Sequence, residues 1–394
     1  MRVLFYAKAP DATKYYRVDV PAKYLREQGI DVKVKFAEKQ MMAPKAEAME
    51  IKDFAEADVV IFQRPVTGAV VQAINYIKKN HPKLPIVCDY DDDYYAVPRW
   101  NPGYPHMKTN EDKWRSIIEQ GIDGAICSTD PLSEVIRKRS RPGTLVRTIG
   151  NGFDFDEFDQ LKPHAPIQIV APDPTQTKDK IVGMYDLDTL QFNEMAKDRT
   201  VCLWAGSKFH YCDLDWLPSS IAKICKERED IIFLFVGYMQ GNIVKSSIAN
   251  RLFLAKGVPG VMPFYSLLQS IDADIMLAPL DPNPFNKSKS NLKVIESMSQ
   301  GFYPLCSEWE PYEYDLDPEM NEDMDDVHGA LVGYEPNSWY RSILEATEKL
   351  EDKDYCKKFK RDNDAYLRTT HAAEFRSDDY IQYFKEIIDL KGQP

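Results

Sequence analysis

The feature that most constrains the fold is a regular alternation of short apolar runs with amphipathic segments along the 394-residue chain. Residues 2–7 and 85–90 have the length and composition of buried strands, whereas residues 67–79 repeat apolar side chains at helical spacing. Strands that alternate with helices in this way form parallel sheets with helices packed on both faces. The sequence therefore predicts an α/β protein with doubly wound parallel sheets.

The alternation is interrupted once, where proline and charged residues dominate between residues 158 and 199. The chain is also too long for one ordinary hydrophobic core. We therefore predict two Rossmann-like domains facing a cleft. Residues 1–158 form the N-terminal domain, residues 159–199 a linker or insertion, and residues 200–374 the C-terminal domain. A last helix, about residues 375–394, packs back on the first domain.

Composition limits the class of protein. The formal net charge of −12 argues against a surface generally adapted to nucleic acid, although a local basic groove is compatible with it. Seven cysteines lack the paired spacing of a metal site, which indicates reduced thiols. No apolar run is long enough to span a bilayer, and residues 1–6 resemble a first strand rather than a signal peptide. We expect a cytoplasmic protein without a transmembrane segment.

Four aspartates, Asp89, Asp91, Asp92 and Asp93, stand at the C-terminal end of a predicted buried strand. Carboxylates this close raise some of their pKa values, which is typical of a functional site. They could bind Mg²⁺ or Mn²⁺, form the nucleophile loop of an Asp-x-Asp phosphatase, or accept a proton or hydrogen bond from a substrate hydroxyl. The residues that follow lack the Thr or Val continuation of such a phosphatase. A further alternative is a helix cap in a solvated turn.

The segment after the predicted strand 201–206 has the composition of a phosphate-binding turn. Gly206 and Ser207 allow close backbone approach to a diphosphate, and Lys208 and His210 could neutralise its charge. The alternative for His210 is a capping or packing role. Residues 259–265 are predicted as a turn in which Phe264 and Tyr265 either stack on a base or belong to the core.

Residues 286–301 combine a loop with a helix predicted to begin at Ser290 and to stop at Gly301. Lys289, Lys293 and Glu296 fall on one face of this helix. The helix N-terminus offers free N–H groups and the positive end of the helix dipole, which suit a phosphate. The alternative is a solvated surface helix with a Lys293–Glu296 pair.

In their order and spacing these motifs resemble those of the GT-B nucleotide-sugar glycosyltransferases, especially the family-4-like branch. The resemblance covers nearly the whole chain. It rests on Tyr16-Arg17 with Pro21 and Leu25, the aspartates at 89–93, Asn151-Gly152-Phe153-Asp154, the Trp-x-Gly-x-x-x-His-x-x-Asp-Leu pattern of residues 204–214, residues 278–296, and Gly301 with Pro304 and Ser307.

The resemblance implies a hexosyl or pentosyl glycosyltransferase whose C-terminal domain binds a nucleotide diphosphate sugar, with a UDP-sugar favoured. Glu296 would accept hydrogen bonds from the ribose hydroxyls, and the base would lie near Phe264 and Tyr265. The diphosphate would be bound by Lys289 and the backbone of Ser290, Asn291 and Leu292, and from the other side by Gly206, Ser207, Lys208 and His210.

The catalytic roles are expected from Asp91 and Asp92, which would face the transferred sugar or the acceptor, and from Lys208. Lys208 is included because stabilising the departing diphosphate is the main electrostatic task. Contacts with the acceptor or the transferred sugar are expected from Arg17, Asp89, Asp93 and Ser288. Ser288 is a departure from the family pattern, since relatives have a carboxylate eight residues before the ribose-binding glutamate. The resemblance favours retention of anomeric configuration, without a cofactor or bound metal, although a divalent metal at the aspartates stays open.

The acceptor stays open among a glycan, a small molecule, a protein and a hydroxymethylated pyrimidine in DNA, the last if the chain is a viral DNA-modifying member. A basic entry for DNA would use residues in the interrupted segment: Lys162, Lys178, Lys180, Lys197 and Arg199. The alternative functions are a sugar-nucleotide epimerase, an Asp-x-Asp metal-dependent phosphatase, and a non-catalytic nucleotide-sugar-binding protein.

Overall fold

The computed structural model describes residues 1–37, 52–172, 183–243, 246–317 and 328–392. The chain forms two compact units. The first comprises Met1–Phe155, Lys287–Ser290 and His371–Pro394, and the second comprises Asp156–Asn286 and Asn291–Thr370.

The first unit is built on a six-stranded parallel sheet with the order β2-β1-β3-β4-β5-β6. Its central strands are buried along their whole length, as their continuous apolar sequences predict for a sheet covered on both faces. The strands are β1 (Arg2–Ala7), β2 (Asp31–Phe36), β3 (Val59–Gln63), β4 (Ile86–Tyr90), β5 (Gly124–Cys127) and β6 (Leu145–Thr148).

Most helices of the first unit lie between these strands in the chain, and one follows at the C-terminus. The stretch after β1 begins with Ala12–Lys14 and passes through a π-helical turn, Tyr15–Asp19, before α1. Another π-helical turn, Ile117–Gly121, follows α4. The helices include α1 (Val20–Glu27), α2 (Gly68–Asn80), α3 (Tyr104–Thr109), α4 (Glu111–Ser116) and α5 (Asp130–Arg139).

The second unit contains an eight-stranded sheet with the order β14-β13-β12-β9-β10-β11-β7-β8. It is parallel except that β7 runs antiparallel to β11, and β8 antiparallel to β7. The strands are β7 (Gln168–Pro172), β8 (Gly183–Asp188), β9 (Thr200–Ala205), β10 (Ile231–Val236), β11 (Leu252–Ala255), β12 (Ile275–Ala278), β13 (Tyr303–Ser307) and β14 (Ala330–Val332).

The α-helices of the remaining chain are α6 (Phe155–Phe158), α7 (Thr189–Ala196), α8 (Pro218–Glu227), α9 (Val261–Gln269), α10 (Pro284–Lys287), α11 (Leu292–Ser299), α12 (Glu310–Leu316), α13 (Ser338–Leu350), α14 (Lys353–Thr370) and α15 (Ala373–Gly392). Short 3₁₀ turns occur at Lys208–His210, Asp213–Trp216 and Ser246–Arg251. Within the described ranges, no helix combines the length and the apolar character needed to cross a membrane.

Residues 159–199, predicted as a linker or insertion, differ from that prediction in the structure. They supply β7, β8 and α7 to the second unit. Ile169 and Ala171 alternate with more exposed residues along β7 and are buried in the core of this unit. The frequent prolines favoured a linker over a strand in the prediction. A strand is nevertheless compatible with them, because proline is tolerated at strand ends and on edge strands.

The last helix, α15, belongs to the first unit and supplies part of its core. Tyr380, Tyr383, Phe384 and Ile387 are buried in one cluster with residues of β1, β3, β4 and β5. The Tyr383 hydroxyl donates a hydrogen bond to the Leu145 carbonyl over 3.1 Å. A glycine in β5 makes room for this contact.

Replacing that glycine, Gly124, with alanine should lower the free energy of unfolding by about 2 kcal/mol. The added Cβ would lie 2.1 Å from the Tyr383 hydroxyl and 3.1 Å from the Leu145 carbonyl oxygen. Denaturant titration measures the change, and the loss should be smaller in a Tyr383→Phe background. Gly68→Ala is the control, because its Cβ would meet only the flexible Lys113 side chain at 3.7 Å. Equal losses at the two glycines would contradict the packing argument.

Candidate functional site

Asp89, the first of the four predicted aspartates, forms a buried ion pair with Arg17. Arg17 Nη2 donates to Asp89 Oδ2 over 2.7 Å, and Arg17 Nη1 donates to the Ile149 carbonyl over 2.7 Å. Both charged side chains are 1% exposed. Burial raises the pKa of Asp89 and the Arg17 guanidinium opposes that shift. The sequence predicts acceptor contacts for these two residues, but in the structure they bind each other inside the protein and fix the π-helical turn to the end of β4.

Asp93 is also turned inward. Its Oδ1 accepts a hydrogen bond from the Tyr95 backbone N–H over 2.9 Å, and the residue is buried. Burial raises the pKa of this carboxyl, while the N–H donors of Tyr95 and Ala96 lower it. Asp93 therefore stabilises the turn after β4, as the turn alternative predicted, but it is not solvated.

Asp91 and Asp92 each face a cation at the C-terminal edge of the first sheet. Asp91 Oδ1 lies 3.4 Å from Arg64 Nε, and Asp92 Oδ1 lies 3.3 Å from Lys289 Nζ. Burial raises the pKa of Asp91 to about 6, and the guanidinium of Arg64 partly opposes this shift. The two aspartates and their cations form one cluster of alternating charge within the first unit.

Arg64 was not predicted from the sequence. It follows β3 directly, has a left-handed backbone with φ of 51°, and donates its N–H to the Asp89 carbonyl over 2.9 Å. Its Nη1 lies 3.3 Å from Asp11 Oδ2. A left-handed backbone at a large side chain costs of order 1–3 kcal/mol and is found most often at functional sites. The only sequence signal is its position at the end of the strand that neighbours β4.

The segment 287–290 belongs to the first unit rather than to the unit that holds α11. The Ser288 carbonyl accepts a hydrogen bond from Thr129 Oγ1 over 2.9 Å, and the Ser288 side chain is buried. Ser288 was predicted to contact the sugar and Lys289 the diphosphate. The structure anchors Ser288 to the cap of α5 and brings Lys289 to Asp92.

The helix that was predicted to begin at Ser290 begins at Leu292 as α11, and Asn291 precedes it. The predicted stop at Gly301 is confirmed, since Gly301 has φ of 71°. Lys293 Nζ lies 2.5 Å from Glu296 Oε2 and 5.8 Å from the centre of the Phe264 ring. The Glu296 side chain is 11% exposed. An aromatic ring, an ammonium group and a nearly buried carboxylate therefore lie together in the second unit.

Residues 259–265 were predicted as a turn, which is wrong, because α9 begins at Val261 and includes both aromatic residues. Tyr265 is fully buried, with its ring 5.7 Å from that of Phe158 in an edge-on arrangement. It belongs to the core, which is the alternative left open for it. Phe264 is only partly buried and is the ring that faces Lys293.

The loop after β9 depends on a close approach of two backbones. A Cβ at Gly206 would lie 2.8 Å from the Trp204 ring, and a Cβ at Gly237 would lie 2.5 Å from the Gly206 carbonyl oxygen. Ser207 caps the 3₁₀ turn that follows by accepting the Phe209 N–H over 3.3 Å. Lys208 is exposed, and among the described residues it forms no ion pair.

His210 is oriented by Asp213, which belongs to the sequence pattern of residues 204–214 but is not among the predicted site residues. His210 Nδ1 donates to Asp213 Oδ2 over 2.9 Å, which leaves Nε2 for a second partner. Asp213 is 1% exposed, and its Oδ1 accepts the Asp281 N–H at 2.9 Å and the Asn286 side-chain amide at 2.8 Å. One buried carboxylate thus joins the loops that follow β9 and β12.

Two further expectations concern metal and nucleic acid. In the part of the chain that the structure describes, no three His, Cys, Asp or Glu side chains are arranged so that they could hold a metal ion. Of the basic residues suggested as a DNA entry, Lys197 is paired with Glu194 at 2.6 Å. Lys178 and Lys180 lie outside the described residues.

At TM-scores above 0.6 the chain is similar in structure to solved glycosyltransferases. HepE of Anabaena in complex with UDP-glucose has a TM-score of 0.62 at 13% identity, covering 98% of this chain and 100% of that one. The chain has the GT-B fold. A glycosyltransferase from Rickettsia africae ESF-5 has a TM-score of 0.62 at 13% identity, covering 98% of each chain. Sucrose-phosphate synthase from Thermosynechococcus elongatus has a TM-score of 0.61 at 12% identity, covering 98% and 99%.

No protein-family model and no curated protein matches the sequence. The predicted GT-B fold is thus confirmed through its three-dimensional arrangement.

The raised pKa of Asp91 has a consequence for stability. Because its folded-state pKa of about 6 lies above the unfolded value, the folded protein binds this proton more tightly. The stabilisation is present below the unfolded pKa and is lost as the pH rises through about 6. The free energy of unfolding of Asp91→Asn, relative to that of wild type, should therefore increase by about 2 kcal/mol as the pH rises from 4 to 7. Denaturant titration at each pH measures the difference.

Loss of the partner of Arg64 adds an offset to this variant that does not change with pH. Asp112→Asn, at an exposed position of α4, is the matched control and should follow the wild-type curve. A parallel pH profile for Asp91→Asn and wild type would contradict the raised pKa of Asp91.

Proposed function

We propose that this protein transfers a sugar from a nucleotide diphosphate sugar, with UDP as the favoured nucleotide, to an acceptor hydroxyl. The observation that carries the proposal is the grouping of Phe264, Lys293 and Glu296 in the second unit. These side chains supply a face for a base, a positive charge for a phosphate and an acceptor for ribose hydroxyls. Support also comes from the GT-B neighbour HepE, whose structures contain UDP and UDP-glucose.

The diphosphate is assigned to two groups of donors in the second unit. The first is the N-terminus of α11, where backbone N–H groups and the helix dipole favour an anion. The second is the loop after β9, which presents the exposed Lys208 and the oriented ring of His210. Their charge would stabilise the diphosphate as it departs, which is the step in which negative charge develops.

The acceptor is assigned to the charged cluster at the C-terminal edge of the first sheet. Asp91 and Asp92 can accept hydrogen bonds from an acceptor hydroxyl, and Arg64 and Lys289 hold their carboxylates in place. A cluster of balanced charge suits a neutral polyhydroxyl acceptor such as a glycan or a small molecule. Following the resemblance, we include retention of configuration in the proposal, and NMR of the product's anomeric centre tests it.

Glu296→Ala should weaken the binding of both UDP and uridine by at least about tenfold, because both contain the ribose that Glu296 would bind. Lys208→Ala should weaken UDP by about fivefold and leave uridine unchanged, because uridine has no phosphate. Isothermal titration calorimetry measures both affinities, and Lys197→Ala is the control for removal of an exposed lysine. Failure of the wild-type protein to bind UDP or any other nucleoside diphosphate would refute the donor assignment.

Asp92→Asn should keep the wild-type affinity for UDP and reduce transfer to an acceptor by at least about tenfold, because hydroxyl recognition is lost on the acceptor side only. Release of UDP from a UDP-sugar, followed with and without a panel of sugar acceptors, provides the rate. Asp112→Asn again serves as the exposed control. Full transfer by Asp92→Asn would return the aspartate cluster to a purely structural role.

A further inference from the structure

Asn291 stands directly before α11, yet its side chain does not cap this helix. A capping residue ordinarily has an extended backbone and a side-chain oxygen that accepts an N–H of the first turn. Thr129, Asp188 and Ser207 all cap in this way in the same chain, with ψ of 157°, 172° and 170°. Asn291 instead has φ of −79° and ψ of 17°.

The side chain of Asn291 is held by Asp315. Asn291 Nδ2 donates to Asp315 Oδ2 over 2.6 Å, and the Tyr366 hydroxyl donates to Asp315 Oδ1 over 2.8 Å. Asp315 is fully buried. It lies on α12 and Tyr366 lies on α14, so two separate helices fix the position of Asn291. Hydrogen bonds to a carboxylate of this length are among the strong ones in proteins.

This arrangement affects the N–H groups at the start of α11. The Val294 N–H already donates to the Asn291 carbonyl over 2.9 Å, so the N–H groups in question are those of Leu292 and Lys293. An asparagine in capping geometry would occupy the Lys293 N–H, which would then be lost to a ligand. The same helix carries Lys293 and Glu296, which lie with Phe264 in the proposed nucleotide site. The N–H groups at this end are therefore the ones that the proposed function assigns to the diphosphate.

We propose that Asp315 is a positioning residue of the donor site, which holds Asn291 away from the helix end and so keeps the N–H groups open for the diphosphate. The proposal rests on the proposed function, because it assigns a diphosphate to this helix. Asp315 does not touch the donor and acts through Asn291. It therefore determines affinity for the phosphate portion of the nucleotide and not for the nucleoside.

Removal of Asp315 has two effects that must be separated. It releases Asn291 to cap the helix, which weakens UDP binding, and it removes a negative charge near an anion site, which strengthens it. Asp315→Asn removes the charge but keeps an oxygen that can accept from Asn291. Tyr366→Phe removes the hydrogen bond that the Tyr366 hydroxyl donates to Asp315 and leaves the Asn291 contact in place.

The test is a double-mutant cycle on UDP affinity, measured by isothermal titration calorimetry with Asp315→Ala, Asn291→Ala and the double variant. Asp315→Ala should weaken UDP binding about fivefold more in the wild-type background than in the Asn291→Ala background, where no side chain can cap. Uridine affinity should be the same in Asp315→Ala as in wild type. Asp315→Asn and Tyr366→Phe should bind UDP within about twofold of wild type.

Equal effects of Asp315→Ala in the two backgrounds would overturn the inference, as would an equal loss of uridine affinity. If Asp315→Ala does not fold, a second pair decides. Asn291→Ser supplies a side chain that caps but is too short to reach Asp315, so UDP should bind about fivefold more weakly than to Asn291→Ala. Equal affinities in this pair would also overturn it.

The two proposals fail in different ways. If the wild-type protein does not bind UDP, or if Glu296→Ala binds UDP as tightly as wild type, the proposed function is refuted and this inference with it. Glu296-dependent UDP binding without coupling between Asp315 and Asn291 would refute the inference alone.

Discussion

The ion pair between Arg17 and Asp89 is the interaction on which the C-terminal edge of the first sheet depends. Arg17 joins the π-helical turn after β1 to the end of β4 and to the Ile149 carbonyl. The Asp89 carbonyl in turn accepts the N–H of Arg64. Removal of one partner from a buried pair costs about 3–5 kcal/mol, because the other charge stays buried without compensation. The buried ion pair between Arg17 and Asp89 thus helps to position Arg64 and Asp91.

The second unit also contains a buried carboxylate near the ends of its strands, but different groups donate hydrogen bonds to it. Its buried carboxylate, Asp213, is satisfied by His210, by the Asp281 N–H and by the Asn286 amide. In both units a buried aspartate lies where parallel strands end and ties neighbouring loops together. The exposed groups that are suited to ligands, such as Lys208, lie beside these ties. Ligands of open α/β sheets bind at the same edge of the strands.

Local sequence patterns predicted those parts of the molecule that depend on periodicity and on backbone conformation. The alternating strands and helices, the stop at Gly301 and the Lys293–Glu296 pair belong to this group. The roles within the aspartate cluster could not be predicted, because they depend on partners far away in sequence. Asp89 is separated by 72 positions from Arg17, and Asp92 by 197 positions from Lys289.

The same limit explains the residues that sequence reasoning missed. Arg64 and Asp315 carry no motif of their own, and each is defined by contacts with another element. Phe264 and Tyr265 are adjacent aromatic residues, but Tyr265 is fully buried and Phe264 only partly. They differ because a helix directs consecutive side chains about 100° apart. Only the packing of α9 decides which ring enters the core. The antiparallel strands β7 and β8 were missed because prolines and charges obscured a short alternating run.

The place of α15 in the core of the first unit has a consequence for synthesis of the chain. Tyr380, Tyr383 and Phe384 fill the face of a sheet whose first strand is made more than 370 residues earlier. Translation proceeds from the N-terminus, and domains generally fold as units as they emerge. The second unit, completed at Thr370, can therefore finish folding while the first unit still lacks part of its core. The unit that contains the N-terminus is therefore the last to complete its core.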